Sequence, residues 1–357
     1  MLLEYFNTLD GGLFWIVVPL VLLAGLALLT YGGDWLADGA ASMADHFKVE
    51  PIVIGITVVS TATSAPELLT CLIAALSGTG DSLGIGNIVG SNLANVALIM
   101  GVAAMICPII ERERYVYWEI PWLIVASGFF AWFCFGDLTR NEGLILLAMM
   151  VGYMVVTIRI EPFFKHFLAP FYLKVGLLKG DHDVKMVEPD DAPDDIHHRP
   201  INASLAFVVG GGVALFIGAN FLVDSAQAVS IKLNIDQGFV GLTVVAIGTS
   251  LPELAASVGA ARKGHTAIIA GNIFGSNLFN MLFVGGITAV ASPVKWDGNL
   301  KIEMLLMLAV SCMLLFAFQK GPGLDRHMSR GMGFAFIVVY AAIMIWSGMN
   351  LESTPQP

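Results

Sequence analysis

The chain has 357 residues, 57% of them hydrophobic and only 13% charged, with mean hydropathy +0.78 and a formal net charge of −10. A soluble domain of this length carries roughly twice that charged fraction, so a water-soluble globule is excluded. The acidic balance also excludes nucleic acid as a partner, because nucleic acid requires a basic patch.

The charges are segregated into short patches between long apolar stretches. Ten such stretches read as membrane spans, at about 13–35, 49–77, 82–108, 116–136, 141–161, 202–228, 238–261, 265–291, 299–319 and 331–350. Each reaches about 20 residues, the length a helix needs to cross a bilayer. A membrane β-barrel would instead show short segments of alternating polarity. The N-terminus lacks a basic region and a cleavage site, so the first stretch is expected to stay as a span. The predicted fold class is therefore all-α, a polytopic membrane protein. The one long hydrophilic segment, 163–200, carries Asp190, Asp191, Asp194 and Asp195 and divides the chain. It reads as a solvated acidic linker between residues 1–162 and 201–357, each half with five spans. It lacks the spacing and glycine of an EF-hand loop.

Lys and Arg set the orientation. With both termini outside, only Arg140, Lys232, Lys295 and Lys301 of the 18 basic residues fall in outside connections. The positive-inside rule then puts the linker in the cytoplasm, in a plasma or inner membrane. Cys71, Cys107, Cys134 and Cys312 lie in apolar stretches without metal-ligand spacing and read as buried thiols, not disulfides.

Two phrases occur twice. Ala62-Thr63-Ser64-Ala65-Pro66-Glu67 lies in the second stretch, and Gly248-Thr249-Ser250-Leu251-Pro252-Glu253 in the seventh. Gly86-Asn87-Ile88-Val89-Gly90-Ser91-Asn92 follows the first, and Gly271-Asn272-Ile273-Phe274-Gly275-Ser276-Asn277 the second. Five spans is an odd number, so the second copy enters the membrane from the opposite side. The expected architecture is ten transmembrane helices in two inverted five-helix repeats, a design of alternating-access carriers.

An intramembrane carboxylate is costly and is a functional-site hypothesis by default. Thr63, Ser64 and Glu67 are spaced to share a helical face. Pro66 lacks an N–H, so the carbonyl of Ala62 loses its helical partner. Thr249, Ser250, Glu253 and the carbonyl of Gly248 repeat this set. Ser91 and Asn95, with Ser276 and Asn280, are spaced to add neutral oxygens. No His or Cys joins this set, which disfavours zinc, copper and iron and suits hard cations such as calcium and sodium. Two carboxylates without a Lys or Arg carry about −2 when ionised, a charge that one calcium ion or two protons neutralise. Competition of ions for one anionic site is sufficient for exchange.

At these residues the chain resembles the sodium/calcium exchangers of the cation/calcium exchanger superfamily. The paired phrases look like that family's two alpha-repeats, and the resemblance covers all ten spans in layout. It implies that Glu67 and Glu253 ligate calcium, and that Thr63, Ser64, Thr249 and Ser250 contribute hydroxyl or carbonyl oxygens. By the same resemblance Ser60 and Ala246 offer backbone carbonyls, and Ser91, Asn95, Ser276 and Asn280 complete the cavity. It also implies that the first and sixth spans slide across the remaining bundle. Some relatives place Asp where this chain has Asn280, including potassium-dependent ones, and Asn here points away from potassium dependence. Proton/calcium exchangers also use two glutamates with Asn partners, so the counter-ion stays open between Na+ and H+. The expected partners are calcium and sodium ions and the lipid bilayer, with no cofactor. A cation channel is the alternative of another class. An enzyme is disfavoured, because no nucleophile is paired with a base.

Overall fold

The computed structural model describes residues 2–9, 11–77, 81–110, 115–158, 199–233, 246–294, 300–320 and 326–351. A short helix α1 (Leu2–Thr8) precedes α2 (Gly11–Phe47). The second apolar stretch forms α3 (Pro51–Thr63) and α4 (Ala65–Ser77). The third forms α5 (Asp81–Leu93), prolonged by wide turns at Ala94–Ile99 and by Met100–Ile106. Then come α6 (Ile120–Cys134), α7 (Arg140–Ile158) and α8 (Ile201–Lys232). The short α9 (Ala246–Thr249) leads into α10 (Leu251–Arg262). Next is α11 (Thr266–Leu278), prolonged by wide turns at Phe279–Val284 and by Gly285–Ala291. The last helices are α12 (Lys301–Ala317) and α13 (Arg330–Leu351). Among the described residues, six helices are long and apolar enough to cross a membrane, or seven if the bent pair α3–α4 is one span. The acidic stretch within 163–198 and the start of the seventh apolar stretch lie outside the described residues.

The centre of the bundle is α11, every residue of which is buried. Its glycines make that position possible. A Cβ on Gly271 would lie 2.6 Å from the carbonyl oxygen of Ile52, and one on Gly275 2.6 Å from Cα of Ile56. The backbones of α3 and α11 therefore touch, as small residues allow in membrane helix pairs. Gly25 and Gly218 bring α2 against α8 in the same way.

The proline phrases act locally as chain physics requires. Ser64 leaves helical geometry (φ −87°, ψ 10°), and the helix axes on either side of it differ by 45°. Ser250 takes nearly the same conformation (φ −89°, ψ 5°). Pro66 and Pro252 each become the second residue of the next helix, where a missing N–H costs nothing. Backbone bonds carry the chain across the first break, from Ser64 N–H to Ser60 O (2.9 Å) and from Leu68 N–H to Ser64 O (3.2 Å). Leu254 N–H reaches Ser250 O (3.0 Å) in the second.

Two expectations need correction. The first span, expected at 13–35, continues as helix to Phe47. Hydropathy stops at Asp34 and Asp38, but tertiary partners make those charges tolerable. Asp38 pairs with Lys263 beside α10 and with Arg199 before α8 (3.3 Å). Ser42 receives the Ser204 hydroxyl at 2.8 Å. The purely helical expectation also misses a small antiparallel sheet of β1 (Ile109–Ile110), β2 (Gln319–Lys320) and β3 (Arg326–Met328), in the order β1-β3-β2. Ile109 pairs with Met328, tying the end of α5's extension to the start of α13. The four cysteines are free thiols.

Candidate ion site

Glu67 and Glu253 are fully buried, at 0% and 1% exposure, and Ser64, three residues before Glu67, bonds Glu253 directly. Each sits in the first turn of a half-helix that begins at its proline phrase. The breaks at Ser64 and Ser250 aim residues before and after the proline into one volume. Ser64 Oγ donates to Glu253 Oε1 at 2.9 Å, a bond across 189 residues of sequence. Ser91 Oγ donates to Glu67 Oε1 at 3.5 Å. Thr63 reaches the opposite half, with its hydroxyl 3.4 Å from that of Ser276. Thr249 reaches the opposite half as well, with its hydroxyl 3.3 Å from Asn87 Oδ1, so the contacts cross between the halves in both directions.

Helical hydroxyls often bond back to their own backbone, and the structure divides them. Thr57, Ser60 and Thr61 bond back to the carbonyls of Val53, Ile56 and Thr57. Thr63, Ser64 and Thr249, next to the breaks, reach across. The carbonyl of Ser60 accepts both the Ser64 N–H and the Thr63 hydroxyl (3.3 Å). Ala246 opens α9 one turn before the second break.

Several oxygens here lack a partner in the protein. Among the described residues, Glu67 Oε2, Glu253 Oε2, Ser250 Oγ, Asn95 Oδ1 and Asn280 Oδ1 are buried without a hydrogen bond. No salt bridge among the described residues reaches either glutamate. Buried polar atoms are ordinarily satisfied, so an orphaned oxygen on each of two buried carboxylates is an arrangement able to receive positive charge. Asn95 Nδ2 is also buried without a partner among the described residues; the carboxylates, hydroxyls and amide oxygens are the groups suited to a hard cation. Asn95 and Asn280 sit just inside the wide turns of the helices prolonging α5 and α11. Such turns widen a helix by one residue and are frequent at functional sites.

Of the expected residues, Ser64 bonds Glu253, Ser91 bonds Glu67 and Thr63 lies beside Ser276, and additional residues accompany them. Asn280 Nδ2 donates to Asn92 Oδ1 at 3.2 Å, and Asn92 Nδ2 to the carbonyl of Asn277 at 3.3 Å. Asn87 and Asn272 accept the hydroxyls of Thr249 and Thr63, each at 3.3 Å. Asn87, Asn92 and Asn272 all belong to the duplicated second phrase. Their recurrence was visible in the sequence; the partners were not.

Known proteins resemble this chain over most of its length. The family described as sodium/calcium exchanger protein matches residues 17–159 and 203–349. The inner membrane protein YrbG of Escherichia coli is 30% identical over 335 residues, covering 91% of this chain and 96% of its own. The sodium/calcium exchanger MaX1 of Methanosarcina acetivorans is 28% identical over 350 residues, 91% of this chain and 97% of its own. A solved structure of the sodium-calcium exchanger NCX_Mj superposes with a TM-score of 0.73 at 26% identity, covering 92% of this chain and 98% of that one. The protein is thus an integral membrane carrier of the cation/calcium antiport class, not an enzyme. It belongs to the sodium/calcium exchanger family.

Proposed function

We propose that the chain exchanges calcium for sodium by alternating access, with both ions competing for one site between Glu67 and Glu253. The observation that carries this reading is a pair of buried carboxylates from opposite halves, with Glu253 bonded by the Ser64 hydroxyl of the other half and Glu67 by that of Ser91. The ligand set comprises Glu67, Glu253, Thr63, Ser64, Thr249 and Ser250, with Ser91, Asn95, Ser276 and Asn280 around them and the carbonyls of Ser60 and Ala246 one turn back.

Ionised and empty, the pair carries about −2 in a volume without cationic side chains, which is costly. One calcium ion cancels that charge, and so do two sodium ions. The carrier changes face only when loaded, because moving bare carboxylates through a closed state is too expensive. Loading with one ion species on each side then couples their fluxes. The architecture in this reading is ten helices in two inverted repeats, 1–162 and 201–357, joined by a cytoplasmic linker at 163–200, with both termini outside. The glycine-lined pair α2 and α8 is the moving element.

Protons are the rival counter-ion, because two carboxylates among hydroxyls accept protons as readily as cations. Proteoliposomes carrying imposed sodium, pH or potassium gradients decide between them. A sodium gradient is expected to drive calcium uptake. Uptake driven by a pH gradient alone overturns the sodium reading, and current at single-channel rates overturns the carrier.

A further inference from the structure

Asn87 and Asn272 are the second residues of the two copies of Gly-Asn-x-x-Gly-Ser-Asn, and the fold places them in matching networks. Asn272 Nδ2 donates to the carbonyl oxygen of Glu253 at 3.3 Å and to Ser257 Oγ at 3.0 Å. A carbonyl can only accept, so the amide is fixed with its nitrogen toward Glu253 and its oxygen the other way. That oxygen meets the Thr63 hydroxyl of the opposite half at 3.3 Å; the other acceptor of that proton, the Ser60 carbonyl at 3.3 Å, is itself an oxygen of the proposed ligand set and turns to the cation when one binds. Asn87 repeats the pattern. Its nitrogen donates to Cys71 Sγ at 3.5 Å, while that thiol donates to the carbonyl of Gly84 at 3.4 Å. Its oxygen meets the Thr249 hydroxyl, again of the opposite half, at 3.3 Å. Cys71 and Ser257 each stand four residues beyond a glutamate, so both anchors lie one helical turn past the carboxylates.

We propose that Asn87 and Asn272 are positioning residues, each of which takes the proton of the opposite half's threonine and so turns that hydroxyl's lone pairs toward the cation. This rests on the ion-site reading above. The chemistry is that of a hydroxyl with one proton and two lone pairs. If the proton of Thr63 or Thr249 points at a carboxylate, the hydroxyl competes with the cation for that carboxylate. If the proton points at a neutral amide oxygen, the hydroxyl becomes a ligand and the carboxylate keeps its charge for the ion. A bound cation repels the proton and favours the second arrangement. The amide must offer oxygen, not nitrogen, for this to work, and the bonds to the Glu253 carbonyl and to Cys71 hold it that way. The two networks differ in burial. Asn272 and Thr63 are fully buried, whereas Asn87 and Thr249 are partly exposed, so the second repeat's amide carries the larger effect.

Pairing specificity is the test. Calcium binding is measured at equilibrium on purified protein, beside calcium uptake in proteoliposomes, for Asn272→Ala, Thr63→Val, Thr249→Val and the two doubles containing Asn272→Ala. Each single change is expected to weaken calcium binding by about 10-fold, with maximal uptake rate altered less than about 2-fold. The matched double with Thr63→Val stays near about 10-fold, because the hydroxyl is already misdirected. The unmatched double with Thr249→Val reaches about 100-fold, as independent sites do. A general loss of packing has no reason to spare one pair. About 100-fold in both doubles, or wild-type binding by Asn272→Ala, overturns the proposal. If Asn272→Ala does not fold, Asn87→Ala with Thr249→Val repeats the cycle under the same criteria. Glu67→Gln separates the two levels. If it abolishes binding while the pairs prove additive, only the positioning role falls. If it binds calcium like the wild type, the glutamate site falls and takes this role with it.

Discussion

Replacement of Glu253 by Gln removes one charge while leaving the shape of the site. Gln keeps an oxygen where Glu253 Oε1 accepts the Ser64 hydroxyl at 2.9 Å, so the cross-repeat bond survives. What is lost is attraction for the ion. A calcium ion about 2.4 Å from a carboxylate oxygen gains about 14 kcal/mol at an effective dielectric of about 20. Dehydration of the ion opposes this. If it cancels three-quarters of the attraction, about 3.5 kcal/mol remains, equivalent to about 300-fold in affinity. Stability should move the other way in the absence of ions, because burying one carboxylate without a cation costs less than burying two. The expected outcome is therefore an unfolding temperature in chelator equal to or above the wild type's. Calcium at about 100 times the dissociation constant stabilises the wild type by about 2.7 kcal/mol, and the variant by less than about 0.2 kcal/mol at the same concentration. Thermal unfolding with and without calcium measures both effects, and calcium uptake into proteoliposomes measures transport. Wild-type uptake by Glu253→Gln, with calcium stabilisation intact, would refute the two-carboxylate argument.

Glu67→Gln is expected to behave likewise in uptake, since it removes the other half of the site charge. Ser64→Ala leaves Glu253 Oε1 without its 2.9 Å donor; a hydrogen bond to a charged group contributes about 1.5–3 kcal/mol, so ion-free unfolding should shift measurably downward. Gly271→Ala places a Cβ 2.6 Å from the Ile52 carbonyl, and overpacking of this kind costs about 1–3 kcal/mol, to be read from thermal unfolding in detergent. Replacing Asp190, Asp191, Asp194 and Asp195 with Ser and Gly should leave calcium uptake near normal. A large loss there would assign the linker a regulatory role.

Much of this protein is legible one residue at a time. The apolar stretches follow from hydropathy, because hydrocarbon leaves the backbone few options. The breaks at Ser64 and Ser250 follow the placement of Pro66 and Pro252, whose rings clash with the preceding turn, although α2 carries Pro19 within its length without ending there. The proposal that Glu67 and Glu253 bind the ion follows from the cost of a carboxylate in an apolar span. None of these inferences needs a partner.

Tertiary structure decided everything that does need one. Thr57, Thr61 and Thr63 are alike as residues on one helix, yet the first two bond back to the helix alone, while Thr63 reaches Asn272 as well as the Ser60 carbonyl. Ser64 could bond its own turn but bonds Glu253. Asn87 and Asn272 could be packing residues until their oxygens are seen to face Thr249 and Thr63. The helix of the first span runs on to Phe47 because Lys263 and Arg199 arrive beside Asp38. Hydroxyls, amides and charges have several acceptable partners at similar energy, so the choice among them belongs to the packing of the helices. Backbone sterics and hydration act locally, and the sequence by itself determines their outcome.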